Sequence, residues 1–140
     1  MDWTYKGKKI TDEETAEFTG FVYRIMCIDT GRIYIGQKLF RSLRKKKIKG
    51  KTKRILTEST WNKYFGSSLE LQRDVKELGE DRFTREILFL CKNRSEMSYR
   101  ELKLQMELDV VLKPNEYYNG FVGKRISARG LQHLVINANT

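Results

Sequence analysis

The sequence carries one histidine, His133, and two cysteines, Cys27 and Cys91. That is too few soft ligands for a zinc cluster, and it leaves no His-based nucleophile machinery. Catalysis would therefore fall to tyrosine, lysine, arginine and carboxylates. Tyr23, Tyr34 and Lys38 are three such groups on neighbouring strand-like stretches. A free phenol, with a pKa of about 10, is a poor base at neutral pH. A cation held beside it favours the phenolate, which can take a proton from water. Tyr23 is thus the candidate to activate water, helped by Lys38 and Tyr34, if the fold brings the three together.

A hairpin would do so. Gly20 to Ile28 and Arg32 to Leu39 are rich in β-branched and aromatic residues, and Asp29-Thr30-Gly31 between them is a turn signal. With Thr30-Gly31 as a two-residue turn, Asp29 faces Arg32 and Lys38 falls directly across from Tyr23. One face then carries Val22, Met26, Ile28, Ile33, Ile35 and Leu39 and reads as the core face. The other carries Tyr23, Ile25, Cys27, Tyr34, Gly36 and Lys38.

Charge is concentrated just beyond. Nine of the 28 Lys/Arg fall between Arg41 and Arg54, with no acid among them. The rest of the chain, with 19 Lys/Arg against 18 Asp/Glu, is close to neutral, so this arm supplies nearly all of the net +10. Lys45, Lys46, Lys47, Lys49, Lys51, Lys53 and Arg54 are its candidate DNA-binding residues, with Tyr64 beyond it. Phosphates would meet such a segment first; a solvated or targeting-type basic run is the plainer alternative.

Further along, Ser67-Ser68-Leu69-Glu70 reads as a capping box opening a helix with Leu71, Val75 and Leu78 on one face and Gly79 past its end. Phe83 to Cys91 reads as a buried strand, and Ser95 to Leu112 as the longest helix, closed by Pro114. Tyr117 to Val122 is a short final strand or turn. This order predicts an α+β domain: a small three-stranded antiparallel sheet flanked by helices, with the basic arm inserted after the first hairpin. Residues 1–18 read as a polar lead-in with at most a short helix, 19–122 as the domain, and 123–140 as a tail. At 140 residues, 39% apolar and with one proline, the chain has the makings of a single core. No apolar run approaches the roughly 20 residues of a membrane span, and no apolar leader opens the chain. A cytoplasmic, reduced environment is expected, with Cys27 and Cys91 as buried thiols.

Gly20-Phe21-Val22-Tyr23 followed by Tyr34-Ile35-Gly36 resembles the two elements that name the GIY-YIG nuclease superfamily, which lie on adjacent strands about ten residues apart. Phe21 and Val22 depart from the literal letters at positions where that family accepts apolar residues. A basic segment, a helix-borne glutamate and a later asparagine, Asn119, follow in the family's order. Tyr34-Ile35-Gly36-Gln37-Lys38 with Trp61, Tyr64, Gly66 and Ser67-Ser68 is similar in particular to phage and mobile-element members. The likeness spans residues 19 to 121.

The resemblance implies a DNA endonuclease using one divalent ion, Mg2+ or Mn2+. Glu96, Glu101 and Glu107 all stand on the long helix. The resemblance favours Glu101 as the metal ligand, with Gln105 one turn on and Asn119 as a brace on nearby backbone. One carboxylate plus substrate phosphate and water suffices for magnesium. An arginine that holds the attacked phosphate is implied as well, with Arg41 and then Arg44 as candidates, and Tyr64 in the place of a later Tyr or His. A homing role, or attack on competing DNA, fits the phage-type likeness, and a homodimer on DNA would cut both strands. The alternatives are a non-catalytic basic nucleic-acid-binding module on the same fold and a ribosomal-type RNA-binding protein.

Overall fold

The computed structural model describes residues 2–123 and 126–135. Its main sheet has five strands in the order β2-β1-β7-β3-β4. These are β1 (Trp3–Tyr5), β2 (Lys8–Lys9), β3 (Gly20–Cys27), β4 (Ile33–Leu39) and β7 (Phe83–Cys91). The three strands expected from the sequence are there as β7-β3-β4, all antiparallel. The expectation of only three is corrected by the lead-in, whose Trp3–Tyr5 pairs parallel with Arg85–Ile87 and extends the sheet. The reason is aromatic burial. Trp3 packs edge-on against Phe21 and Tyr23, with ring centroids at 5.0 and 5.3 Å, and its indole donates to Trp61 O at 2.8 Å. After β2 comes α1 (Asp12–Glu17), opened by a capping box between Thr11 and Glu14.

The hairpin of β3 and β4 forms, in a different register. Tyr23 faces Gly36, Ile25 faces Tyr34, and Lys38 faces Phe21, not Tyr23. The connection is Ile28 to Gly31, four residues in place of two. Gly31 takes φ +74°, and its N–H donates to Cys27 O at 2.8 Å. The slip is two residues in the pairing sum, so each side chain keeps its face but changes its partner.

The expected division into a core face and a functional face is also corrected. Both faces are buried. Phe21, Tyr23, Ile25 and Cys27 belong to one core with Trp3, Phe40, Leu71 and Phe83; Val22 and Ile35 belong to a second with Met97, Val110 and Val111. Ile28, assigned to the core, is exposed. Helix α2 (Leu69–Leu78) covers the first core through Leu71 and is capped by Ser68, whose Oγ accepts from Leu71 N. Helix α3 (Arg94–Glu107) covers the second through Met97 and Leu104. It stops short of the expected Leu112 because Asp109 turns left-handed at φ 52°.

The basic arm is a separate two-stranded ribbon of β5 (Arg41–Ile48) and β6 (Lys51–Glu58). Lys49 and Gly50, at φ 52° and 77°, make the paired positive-φ turn that matches strand twist. A short pair, β8 (Phe121–Val122) and β9 (Ile126–Ser127), follows α3. Among the described residues no helix is long and apolar enough to cross a membrane.

Candidate active site

A cleft of about 600 Å³ opens along the free edge of β4. Tyr23, Tyr34, Gln37, Ser67, Glu101 and Asn119 are among the residues that line it. The edge strand would leave the N–H and C=O of Ile35 unpaired, and side chains take them instead. Asn119 Oδ1 accepts from Ile35 N at 3.1 Å, while Asn119 Nδ2 and Gln105 Nε2 donate to Ile35 O at 2.8 and 3.0 Å. The chain before Asn119 runs beside the same edge, with Ile33 N donating to Glu116 O and Tyr118 N to Ile33 O. Asn119 and Gln105 are thus the brace that fixes β4 against α3.

Gly36 explains how a buried tyrosine reaches the edge. Tyr23 is 1% exposed and its ring lies across Gly36, where an added Cβ would come within 2.6 Å of the phenol carbon bearing the hydroxyl. No side chain larger than hydrogen fits under the ring. On β7 the pairing slips opposite Val22/Tyr23, leaving Leu88 as an extra residue, and such a bulge re-aims neighbouring side chains. Tyr34 stands beside Tyr23 at 6.1 Å between ring centroids, and its hydroxyl shares a 2.8 Å hydrogen bond with Ser67 Oγ. Tyr64 meets Tyr23 edge-on at 6.0 Å.

These surroundings act on the acidities. Burial first, then the neighbouring Tyr34 and Tyr64 and a hydrogen bond with Tyr64, hold the Tyr23 phenol well above its usual range, and Glu101 adds to this. The phenolate expected from a facing Lys38 is therefore not what this geometry favours. Lys38 Nζ sits over the Tyr64 ring, 4.3 Å from its centroid, and reaches Tyr23 only through that ring. Burial raises Tyr34 too, partly offset by Ser67. For Glu101 burial alone pushes the carboxyl up to about 7.

Of the three glutamates on α3, only Glu101 lines the cleft. Glu96 accepts from Lys92 N and from Arg100 at the helix start, and Glu107 lies by Phe89 and Tyr99 on another surface. Arg41 is not brought to the cleft: its guanidinium donates to the carbonyls of Thr15, Ala16 and Phe18 at the end of α1. Arg44 belongs to β5, and its side chain lies outside the described residues. Tyr64 closes the Tyr23 side of the site, and Lys45, Lys46, Lys47, Lys49, Lys51, Lys53 and Arg54 all lie on the ribbon, away from the cleft wall. The sequence reading missed Gln37 and Ser67. Gln37 follows directly on Gly36, and its buried Oε1 has no partner among the described residues. Ser67, read as part of a helix start and of the family likeness but given no role at the site, holds the Tyr34 hydroxyl.

Cys27 and Cys91 are buried free thiols on the main sheet. Among the described residues no group of three or more His, Cys, Asp or Glu could enclose a metal.

Residues 3–122 match the family described as "Putative endonuclease segE, GIY-YIG domain". No curated protein and no solved structure gives a significant match.

Proposed function

We propose, from the premise that this chain belongs to the GIY-YIG nuclease superfamily, that it hydrolyses DNA phosphodiester bonds with one magnesium ion held at Glu101. The observation that carries this reading is a half-enclosed carboxylate in the cleft beside Tyr23, Tyr34 and Asn119, with no ion pair among the described residues, lifted to about 7 by burial alone. A buried acid of that kind gains most from a cation beside it. Gln37, on the same cleft, carries a carboxamide whose Oε1 is buried without a partner among the described residues. When bound, magnesium supplies Lewis-acid polarisation of the phosphate and charge to offset the departing 3′ oxygen.

The chain's own residues position the rest. Burial and the adjacent Tyr34 and Tyr64 keep Tyr23 a neutral phenol, whose oxygen accepts a hydrogen bond from the attacking water and orients it while that water's proton passes to solvent. Tyr34, fixed by Ser67, forms the neighbouring wall. Asn119 and Gln105 keep β4 in place so that Gln37, Gly36 and Glu101 hold their spacing. The positive end of α2 also opens on the cleft through Ser68 and Leu69, a field that suits a phosphodiester. A phage or mobile-element origin, a homing role and cleavage as a homodimer belong to the same proposal, as does the division into lead-in, nuclease domain and tail.

Supercoiled plasmid incubated with magnesium, wild type beside Glu101→Gln, tests the reading. Wild type is expected to nick it, and the variant to be slower by at least about a thousandfold, the worth of several kcal/mol of charge stabilisation. Failure of wild type to nick over a range of salt overturns the reading in favour of a binding module. Equal nicking by both overturns the role of Glu101.

A further inference from the structure

The tip of the β5–β6 ribbon stands off from the body of the protein, while nearer the root Lys45 and Arg54 face Thr19 and Arg94 across an open hollow. Apart from each other, neither strand packs extensively on another element. Its root, in contrast, is pinned. Phe40 is fully buried, Phe40 N donates to Thr19 O at 3.0 Å, and Ser59 N donates to Phe40 O at 2.9 Å. A hollow at that root is lined by Gln37, Lys38, Ser42, Ser59 and Tyr64, and Gln37 also lines the cleft. The ribbon therefore rises from the strand that carries the site, next to the site.

Its charge pattern is unusual for a hairpin in water. Lys45 faces Arg54 on one side of the ribbon, and Lys46 faces Lys53 on the other. Directly opposed like charges weaken a hairpin. No acid offsets them anywhere from Arg41 to Thr57. A ribbon lying flat on a polyanion would need cations on one face only. Both faces are basic here, as expected where phosphates approach from two sides at once.

We propose that the β5–β6 ribbon inserts into the major groove of duplex DNA and delivers the duplex to the cleft. Eight residues per strand give it a length of about 25 Å. The major groove of B-DNA, about 12 Å wide, admits a two-stranded ribbon, whereas the minor groove, about 6 Å wide, does not. The deep, narrow major groove of duplex RNA excludes it as well. Lining the groove, Lys45/Arg54 and Lys46/Lys53 meet the phosphates of opposite walls. This inference rests on the nuclease reading for its ligand, but its test is a binding measurement that does not need cleavage.

The experiment uses full-length Glu101→Gln in EDTA with a 30-base-pair mixed-sequence DNA duplex and the matching RNA duplex. Affinity is read by fluorescence anisotropy across a salt series. The DNA duplex is expected to bind at least about tenfold more tightly than the RNA duplex. Adding K45Q, K46Q, K53Q and R54Q should flatten the dependence of log affinity on log salt by about three to four, while K46R with K53R keeps it. Guanine N7 methylation, in the major groove, should interfere with binding. Adenine N3 methylation, in the minor groove, should not. An unchanged slope, equal RNA binding, or interference confined to adenine N3 overturns the proposal. A chain that shows the expected binding but never nicks plasmid keeps the ribbon and loses the nuclease. One that nicks DNA equally well, at every salt, with the ribbon neutralised does the opposite.

Discussion

Around the cleft, charge is sparse and enclosed: Glu101 stands among three phenols, three amides and backbone, and Tyr23, Tyr34, Gln105 and Asn119 are held by packing or a named hydrogen bond. On the ribbon, seven Lys/Arg from Lys45 to Arg54 face solvent and are held by one backbone ladder. The first arrangement changes acidities and fixes distances at the cost of tolerance to substitution. The second offers a polyanion a field and no enclosure. On the proposed reading, chemistry and affinity reside in separate structures joined at Phe40, and changes to each should have distinct signatures.

After the loss expected for Glu101→Gln, the largest effect is expected at the cleft from the smallest side chain. Gly36→Ala puts a methyl group into the Tyr23 ring. Displacing the phenol by about 1 Å should lower single-turnover cleavage about a hundredfold, with DNA affinity unchanged. Cleavage within about threefold of wild type would show that Tyr23 is not positioned through Gly36.

Next comes a stability effect that only an enclosed acid can produce. With Glu101 at about 7 in the folded chain and near 4.5 when exposed, the folded state keeps a proton that the unfolded state has released across that interval. Stability should therefore fall as pH rises through that interval, and remain lower above it. In EDTA, Glu101→Gln should melt above wild type at about pH 8 and together with it at about pH 4. Parallel melting curves at both pH values would mean that Glu101 is not desolvated. The activity loss and the stability gain belong to the same substitution, which separates a site acid from a structural one.

The smallest effect lies on the ribbon. Lys49 occupies a left-handed turn position that costs an ordinary side chain roughly 1 kcal/mol. Lys49→Asn should slow amide exchange in β5 and β6 by about two- to fivefold and leave the global melting temperature nearly unmoved. A clear rise in melting temperature would show the ribbon to be part of the cooperative core.

The sequence was most legible where the pattern is local. Alternation in 20–28 and 32–39, the Phe83–Cys91 strand and the acid-free stretch after Arg41 all act over a few residues; the capping box read at Ser67–Glu70 fell one residue early, since Ser68 caps α2 and Glu70 pairs with Arg32. Placing Tyr23 and Tyr34 on one face survived the wrong register because the loop grew by two residues, which preserves parity. Partners did not survive: Lys38 moved from Tyr23 to Phe21 because the turn holds four residues. Trp3–Tyr5 was invisible as a strand because three residues carry no period, and its partner lies some eighty positions away on β7. Arg41 looked near the site only along the chain; at the end of β4 the backbone turns away, and the carbonyls of α1 take the guanidinium. The acidity of Tyr23 could not be read at all, since it depends on what surrounds the ring.

The brace on Ile35 has one more consequence. A sheet edge with open backbone groups is a template on which another chain can add a strand. On the β4 side Asn119, Gln105 and the stretch from Glu116 to Tyr118 occupy those groups, and the opposite border is a two-residue strand made of lysines, Lys8–Lys9. The contacts that hold the cleft in shape thus also close the β4 border of the sheet to a neighbour. Loosening Asn119 would then cost more than geometry at the site: it would expose a border on which copies of the chain could assemble.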